Sequence, residues 1–213
     1  MDNTITPDIS IPKQAIAEMA TVTFPGTITV VDTPEGASEA VNALSGESLV
    51  GFDTETKPSF RKGQSHPVAL MQVSTDTHSY LFRLNMLGFN PDVKRFLENG
   101  SITKIGLSLK DDFFVMHRSA DFEPQGFIDL QNFVRTYRIA DCSLQRIYAI
   151  LFGERISKGQ RLTNWEAPSL TPAQQSYASI DAWACLRIYR YLSAGLFNPA
   201  DSPYRITHTD ESL

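Results

Sequence analysis

Five short apolar runs, all in the first half of the chain and interleaved with helical stretches, constrain the fold more than any other feature of this sequence. Gly26–Asp32 (GTITVVD) alternates, the period of a strand with one buried face. Leu49–Asp53 (LVGFD) is apolar or small until it ends in an acid, the pattern of a buried strand. Val68–Ser74 and Ser79–Leu84 form a strand pair around a turn at Thr75–His78, and Ile102–Leu107 is a fifth strand. Helical spacing appears at Thr33–Leu44, where Ala37, Ala40, Val41 and Leu44 share a face, and a short helix is expected over Asp92–Glu98.

The second half of the chain is mostly helical. Ser143 caps a helix through Leu151 that Gly153 stops. Thr171-Pro-Ala-Gln174 is a capping box with proline at the first helical position, and a long helix follows to about Leu192. Strands mixed with helices, then helices alone, predict an α/β fold: a central mixed β-sheet flanked by helices. The 213 residues suit one domain, placed at 25–195. Residues 1–24 read as a polar lead-in with a short helix after Pro12, and residues 196–213 as a polar C-terminal tail.

The formal net charge of −5 argues against a nucleic-acid binder, because phosphate contacts need cations. Charge is uneven, however. Residues 135–161 hold Arg135, Arg138, Arg146, Arg155, Lys158 and Arg161 against Asp141 and Glu154, and Arg61 with Lys62 form a smaller basic spot. Two unspaced cysteines, Cys142 and Cys185, make neither a disulfide framework nor a zinc signature. Reduced thiols, a first segment without the apolar run of a signal peptide, and no long apolar stretch lead us to expect a cytoplasmic protein with no membrane span.

Three segments place acids where chemistry can use them. Asp53-Thr-Glu55 ends a buried run, and on a strand residues i and i+2 share a face, so two carboxylates can be offered to a hard cation. Tyr177 and Asp181 lie four apart on a helix, and the same face continues through Ala184 and Ile188, which look core-directed. A carboxylate in an apolar stripe must be paired or must bind a metal. Lys104–Asp112 runs from a strand into a helix whose first turn carries Asp111 and Asp112. Acids there also suit the helix dipole, and periodicity does not choose between the two.

Together these segments resemble the DEDD superfamily of 3′–5′ exonucleases, specifically its tyrosine branch, whose fold is ribonuclease H-like. Further blocks carry the resemblance to the Werner-type exonuclease domains, with ribonuclease D more distant: VALMQVST (68–75), KIGLSLKDD (104–112), SLQRIYAILFG (143–153) and the stretch from Asn164 to Leu192. It covers roughly residues 27–192. The resemblance implies that Asp53, Glu55, Asp112 and Asp181 hold two divalent cations, Mg²⁺ or Mn²⁺, with Asp112 rather than Asp111 in the second motif. It implies that Asp53 bridges the ions, that Glu55 and Asp181 hold the ion that generates the nucleophile, and that Tyr177 orients the attacking water. The implied substrate is DNA or RNA with a free 3′ end, DNA favoured, and the product a nucleoside 5′-monophosphate.

Arg61, Lys62, Lys158 and Arg161 are candidate phosphate contacts, with solvated surface charge as the alternative for each. Trp165 either stacks on a base or anchors the chain before the last helix. Asp129 is read as a helix N-cap, and the four histidines show no metal spacing. Three rival readings are a catalytically inactive DEDD-type module that binds nucleic acid or a partner, an enzyme that trims RNA instead of DNA, and a structural protein whose acids form surface ion pairs.

Overall fold

The structure is a computed structural model that describes residues 7–61 and 63–206. In chain order the elements are α1 (Lys13–Ala17), β1 (Thr27–Val31), α2 (Pro34–Leu44), β2 (Leu49–Thr56), β3 (Val68–Ser74), β4 (His78–Phe82), α3 (Leu84–Leu87), α4 (Pro91–Leu97), β5 (Thr103–Gly106), α5 (Leu109–Met116), β6 (Phe127–Asp129), α6 (Leu130–Arg135), α7 (Leu144–Phe152) and α8 (Pro172–Ser193). The strands form one six-stranded sheet in the order β1-β4-β3-β2-β5-β6. β2, β3 and β4 are antiparallel neighbours, whereas β1 joins β4, β5 joins β2 and β6 joins β5 in parallel. The mixed sheet expected from the order of periodicities is therefore present. The sixth strand, β6, is only three residues long and carries no alternation of its own.

The sheet separates two cores, and strand alternation decides which side chain enters which. On β2, Val50 and Phe52 point into a cluster with Val41 and Leu44 of α2, Phe96 of α4 and Met116 of α5. Gly51 points the other way, against α8. By the same alternation Asp53 and Glu55 leave β2 on the α8 side. The opposite core joins α6, α7 and α8 through Val134, Ile147, Ile150, Ala184 and Ile188. Several helix ends form as their residue types require, although Ser143, at the N-cap of α7, makes no side-chain cap hydrogen bond. Thr171 and Gln174 make the reciprocal capping box at the start of α8, and Asn90 and Thr33 cap α4 and α2. Gly153 closes α7 with φ 65°, a left-handed conformation that glycine adopts at little cost.

Residues 8–22, expected as a polar lead-in, are built into the α6–α7 side. Ile9, Ile11, Ile16 and Val22 are buried there. Ile9 bridges to Ile139 on one side and to Arg205 on the other, so the chain segment after η-turn residues 199–201 docks on the same edge. Asp8 is ion-paired with Arg138, and the Ile11 amide donates to Asp141 at 2.9 Å. Isolated isoleucines separated by polar residues have no helix or strand period, which is why the sequence reads as a tail. The last residues of the expected tail, 207–213, lie outside the described residues.

Gly51 sets how closely α8 approaches the sheet. A Cβ there would lie 1.9 Å from the carbonyl oxygen of Ala182 and 3.2 Å from Cβ of Leu186. Only a residue without a side chain permits this contact. Gly51→Ala should therefore push α8 off β2. We expect a loss of at least about 1–3 kcal/mol in chemical denaturation, the ordinary range for overpacking, with α8 and β2 losing amide protection together. Unchanged stability would show that α8 can move away freely.

Candidate active site

The first half of the site comes from the end of β2. Asp53 and Glu55 emerge two residues apart on the face under α8, and the register pairs Asp53 with Gln72 of β3. The second half comes from α8, whose buried stripe Ala178, Asp181, Ala182 and Cys185 lies on the sheet. Small residues at positions 178, 182 and 185, opposite Gly51, let the helix sit low enough for Asp181 to reach the strand. One carboxylate oxygen each from Asp53, Glu55 and Asp181 lies within 4.8 Å of the others. Two segments separated by more than a hundred residues thus present one compact oxygen cluster.

Asp112 stands beside this group rather than inside its tightest part. It is half-buried on α5, while Asp111 is exposed. Its carboxylate accepts from the Thr54 hydroxyl. The approach of α5 is set by Asp129, which caps two helices at once. Its carboxylate accepts from the amides of Ser108 and Leu109 at 3.2 and 2.9 Å, at the start of α5, and from the amide of Gln131 at 2.9 Å in α6. The N-cap reading of Asp129 is correct for α6, and its second use at α5 is a tertiary contact without a local signal. Ser108 itself adopts φ 62° as the chain turns from β5 into α5.

The cleft over these carboxylates measures about 390 Å³ and is lined also by Ser143, Gln145, Lys158, Arg161 and Tyr177. The Tyr177 hydroxyl faces the Asp181 carboxylate and favours its ionised form. Lys158 and Arg161 are exposed at the rim, and both act electrostatically on Asp181. Arg61 lies on an exposed loop after β2 and does not line the cleft. Lys62 lies outside the described residues. Trp165 is fully buried against Leu70, Leu81 and Ala178. That corrects the stacking option: the indole is the anchor before α8, since a base can only stack on an exposed ring. Its ring centroid is 6.0 Å from that of Tyr177, so it backs the tyrosine from behind.

Gln72 is a neighbour that sequence reasoning missed. It is fully buried, directly across the strand pair from Asp53, and neither of its amide atoms has a hydrogen-bond partner. A lone polar residue in the apolar run VALMQVS, facing a candidate ligand strand, was the available signal.

The electrostatics ask for a cation. Burial first, then the neighbouring Asp181, Asp112 and Glu55 charges, push Asp53 well above the usual carboxylate range. Burial, with Asp181 and Asp112, lifts Glu55 to about 9, and Arg161 only partly opposes this. Burial raises Asp112 and Asp181 to about 7, against the Thr54 and Tyr177 hydrogen bonds respectively. All four groups therefore keep their protons to higher pH than ordinary carboxylates in the metal-free fold. An all-oxygen donor set with unmatched negative charge suits a hard divalent ion such as Mg²⁺ or Mn²⁺.

These shifts give the metal-free protein a defined pH dependence. A carboxylate whose folded pKa is raised stabilises the fold fully below its unfolded value near 4, and that stability is lost as pH rises through the folded pKa. The melting temperature without metal should fall from about pH 5 through 7, as Asp112 and Asp181 ionise, and on toward 9 with Glu55. Asp53→Asn should raise the metal-free value at pH 8 by about 2–4 °C or more, the equivalent of roughly 1 kcal/mol in a chain this size. Scanning calorimetry in EDTA checks both, and a flat profile would mean that the carboxylates are solvated.

Comparison with known proteins follows the same elements. A family model described as 3′–5′ exonuclease matches residues 28–196. The mouse bifunctional 3′–5′ exonuclease/ATP-dependent helicase WRN is 30% identical over 176 residues, which are 80% of this chain and 12% of the relative. Ribonuclease D of Haemophilus influenzae is 29% identical over 161 residues, 74% of this chain and 39% of the relative. The chain thus spans less than half the length of either. Among solved structures, the Aedes aegypti Nibbler EXO domain superposes with a TM-score of 0.70 at 18% identity, covering 86% of this chain and 96% of that one. The Trypanosoma brucei RNase D complex with RNA U12 has a TM-score of 0.70 at 22% identity, covering 79% and 63%. The sheet and its helices are those of ribonuclease H-like exonucleases. With a family model spanning most of its length and the carboxylate cluster on the strand and helix it matches, the chain belongs to the 3′–5′ exonuclease family of the DEDD superfamily.

Proposed function

We propose that this domain is a two-metal-ion exonuclease that hydrolyses the terminal phosphodiester at a nucleic-acid 3′ end and releases nucleoside 5′-monophosphates. The observation that carries the reading is the convergence of Asp53, Glu55 and Asp181 within 4.8 Å, with Asp112 beside them and cations only at the rim. Asp53, Glu55, Asp112 and Asp181 would hold the ions. When bound, divalent cations lower the pKa of water and offset negative charge on the phosphoryl group and the leaving oxygen.

The side chains of the chain do the rest. Lys158 and Arg161 at the rim attract the phosphodiester and hold it against the carboxylate floor. Tyr177, tied to Asp181 and backed by Trp165, keeps its hydroxyl at the cleft surface, where it orients the attacking water. Burial and the nearby carboxylates hold the Tyr177 pKa far above its ordinary value, so the phenol stays a hydrogen-bond donor and acceptor and does not act as an ionised base. Water attacks phosphorus, the bond to the 3′ oxygen breaks, and that oxygen leaves with a proton.

DNA and RNA present the same scissile bond, and the resemblance to the Werner-type domains favours DNA. Matched DNA and RNA strands labelled at the 5′ end, incubated with Mg²⁺ or Mn²⁺, test both the activity and the preference. Successive one-nucleotide shortening from the 3′ end is expected. No shortening of either strand with either ion would leave a binding module that lacks catalysis.

Three further outcomes follow from the roles. Asp53→Ala and Asp181→Ala should lower kcat at least about 10²–10³-fold, the cost of losing one strong transition-state contact. Asp112→Ala should be far more damaging than Asp111→Ala, and the reverse order would move the second motif by one residue. Tyr177→Phe should slow turnover by up to about 100-fold with Mn²⁺ affinity unchanged in a binding titration. Normal turnover would remove its water-orienting role.

A further inference from the structure

A second cleft adjoins the carboxylate cleft and shares Gln145 and Lys158 with it. It also measures about 390 Å³, and its lining contains Lys13, Arg146, Arg155 and Lys158 but no acid. Arg146 is held by Asp141, Nη1 to Oδ1 at 2.7 Å. Among the described residues, Lys13, Arg155 and Lys158 make no ion pair. Nε of Arg155 is buried without a hydrogen-bond partner. Four cations on one concave surface, in a chain of net charge −5, are a local concentration of positive charge that repels itself.

The cleft exists because the N-terminal segment is docked. The backbone of Arg155 pairs with that segment through Val22 N–Arg155 O at 3.0 Å and Arg155 N–Ala20 O at 2.9 Å. Burial of Ile16 seats α1, which brings Lys13 to the rim. The exonuclease family match begins at residue 28, so Lys13 and the wall that carries it lie outside the family domain.

We propose that this basic cleft binds the phosphodiester backbone of the substrate strand on the 5′ side of the scissile bond. The proposal rests on the exonuclease reading. An enzyme that releases mononucleotides has a single nucleotide beyond the scissile phosphate. Any further length of strand must therefore leave the carboxylate cleft on the 5′ side. The adjoining cleft that shares Lys158 is lined by the charge such a strand needs, and Arg155 lines it with no ion-pair partner among the described residues. Lys158 serves both clefts, and Lys13, Arg155 and Arg146 extend the track away from the carboxylates, whose own field repels phosphate.

The test compares a single-stranded oligothymidylate, long enough to lie in both clefts, with a thymidine dinucleotide. Fluorescence anisotropy of labelled strands in EDTA reads binding without turnover, and Mn²⁺ assays read KM and kcat. Lys13→Ala and Arg155→Gln should each raise Kd and KM for the oligothymidylate several-fold, with kcat and dinucleotide hydrolysis unchanged. Each should also lower the slope of log affinity against log salt by about 0.7, the value for one single-strand phosphate contact. Wild-type affinity and salt slope in both variants would overturn the proposal, as would an equal loss for the dinucleotide. Should Arg155→Gln not fold, Lys13→Ala and Lys13→Glu at the exposed position decide. Anisotropy is independent of hydrolysis, so a wild-type protein that binds the strand through Lys13 but releases no mononucleotide would sink the exonuclease reading and not the cleft.

Discussion

The contact between Gly51 and the Ala182 carbonyl governs the geometry of the site. Carboxylates on a strand and on a helix converge only when the helix axis lies unusually close to the sheet. The glycine on β2 and the small residues on α8 remove the side-chain layer that would separate them. Asp181 then meets Asp53 and Glu55 within 4.8 Å, a distance that an ordinary helix-on-sheet spacing would not allow. The packing that builds the core and the packing that builds the site are the same contact.

That closeness has an electrostatic consequence. Burial raises all four carboxylates, and the Asp181 and Asp112 charges raise Asp53 and Glu55 further. The fold does not relieve this with an internal cation. Lys158 and Arg161 stand at the rim and lower Asp181 only in part. A bound divalent ion would supply the missing charge, a binding demand that the packing maintains. In the proposed function the same rim cations would attract the polyanion that the carboxylates repel, so a chain of net charge −5 would still present a local phosphate-binding surface.

A second layer of residues holds the carboxylates in register. Asp129 caps both α5 and α6, and so ties the helix that carries Asp112 to the edge of the sheet. Thr54, between the two β2 acids, hydrogen-bonds to Asp112 and links the strand to that helix. Trp165 and the capping box at Thr171 hold the start of α8, and with it Tyr177. None of these residues carries charge chemistry in its expected role. Their effect is to limit how far each ligand can move.

Much of this was legible in the chain itself. The periods of 2 and 3.6 place β1, β3 to β5, α2, α7 and α8 within a residue or two, and β2 to within three at its end, because those elements bury one face and local pattern reports burial. The spacing of Asp53 and Glu55, and of Tyr177 and Asp181, puts each pair on one face for the same local reason. What tertiary structure alone decided is long-range. It joined Asp112 to Thr54 and left Asp111 exposed, buried Trp165 instead of offering it to a base, and gave Asp129 a second helix to cap. It also docked residues 8–22 beside Arg155, where isolated isoleucines with no period become core only because the α6–α7 surface is there to receive them. Period is a property of neighbours in sequence, whereas convergence depends on backbone distances that no local pattern encodes.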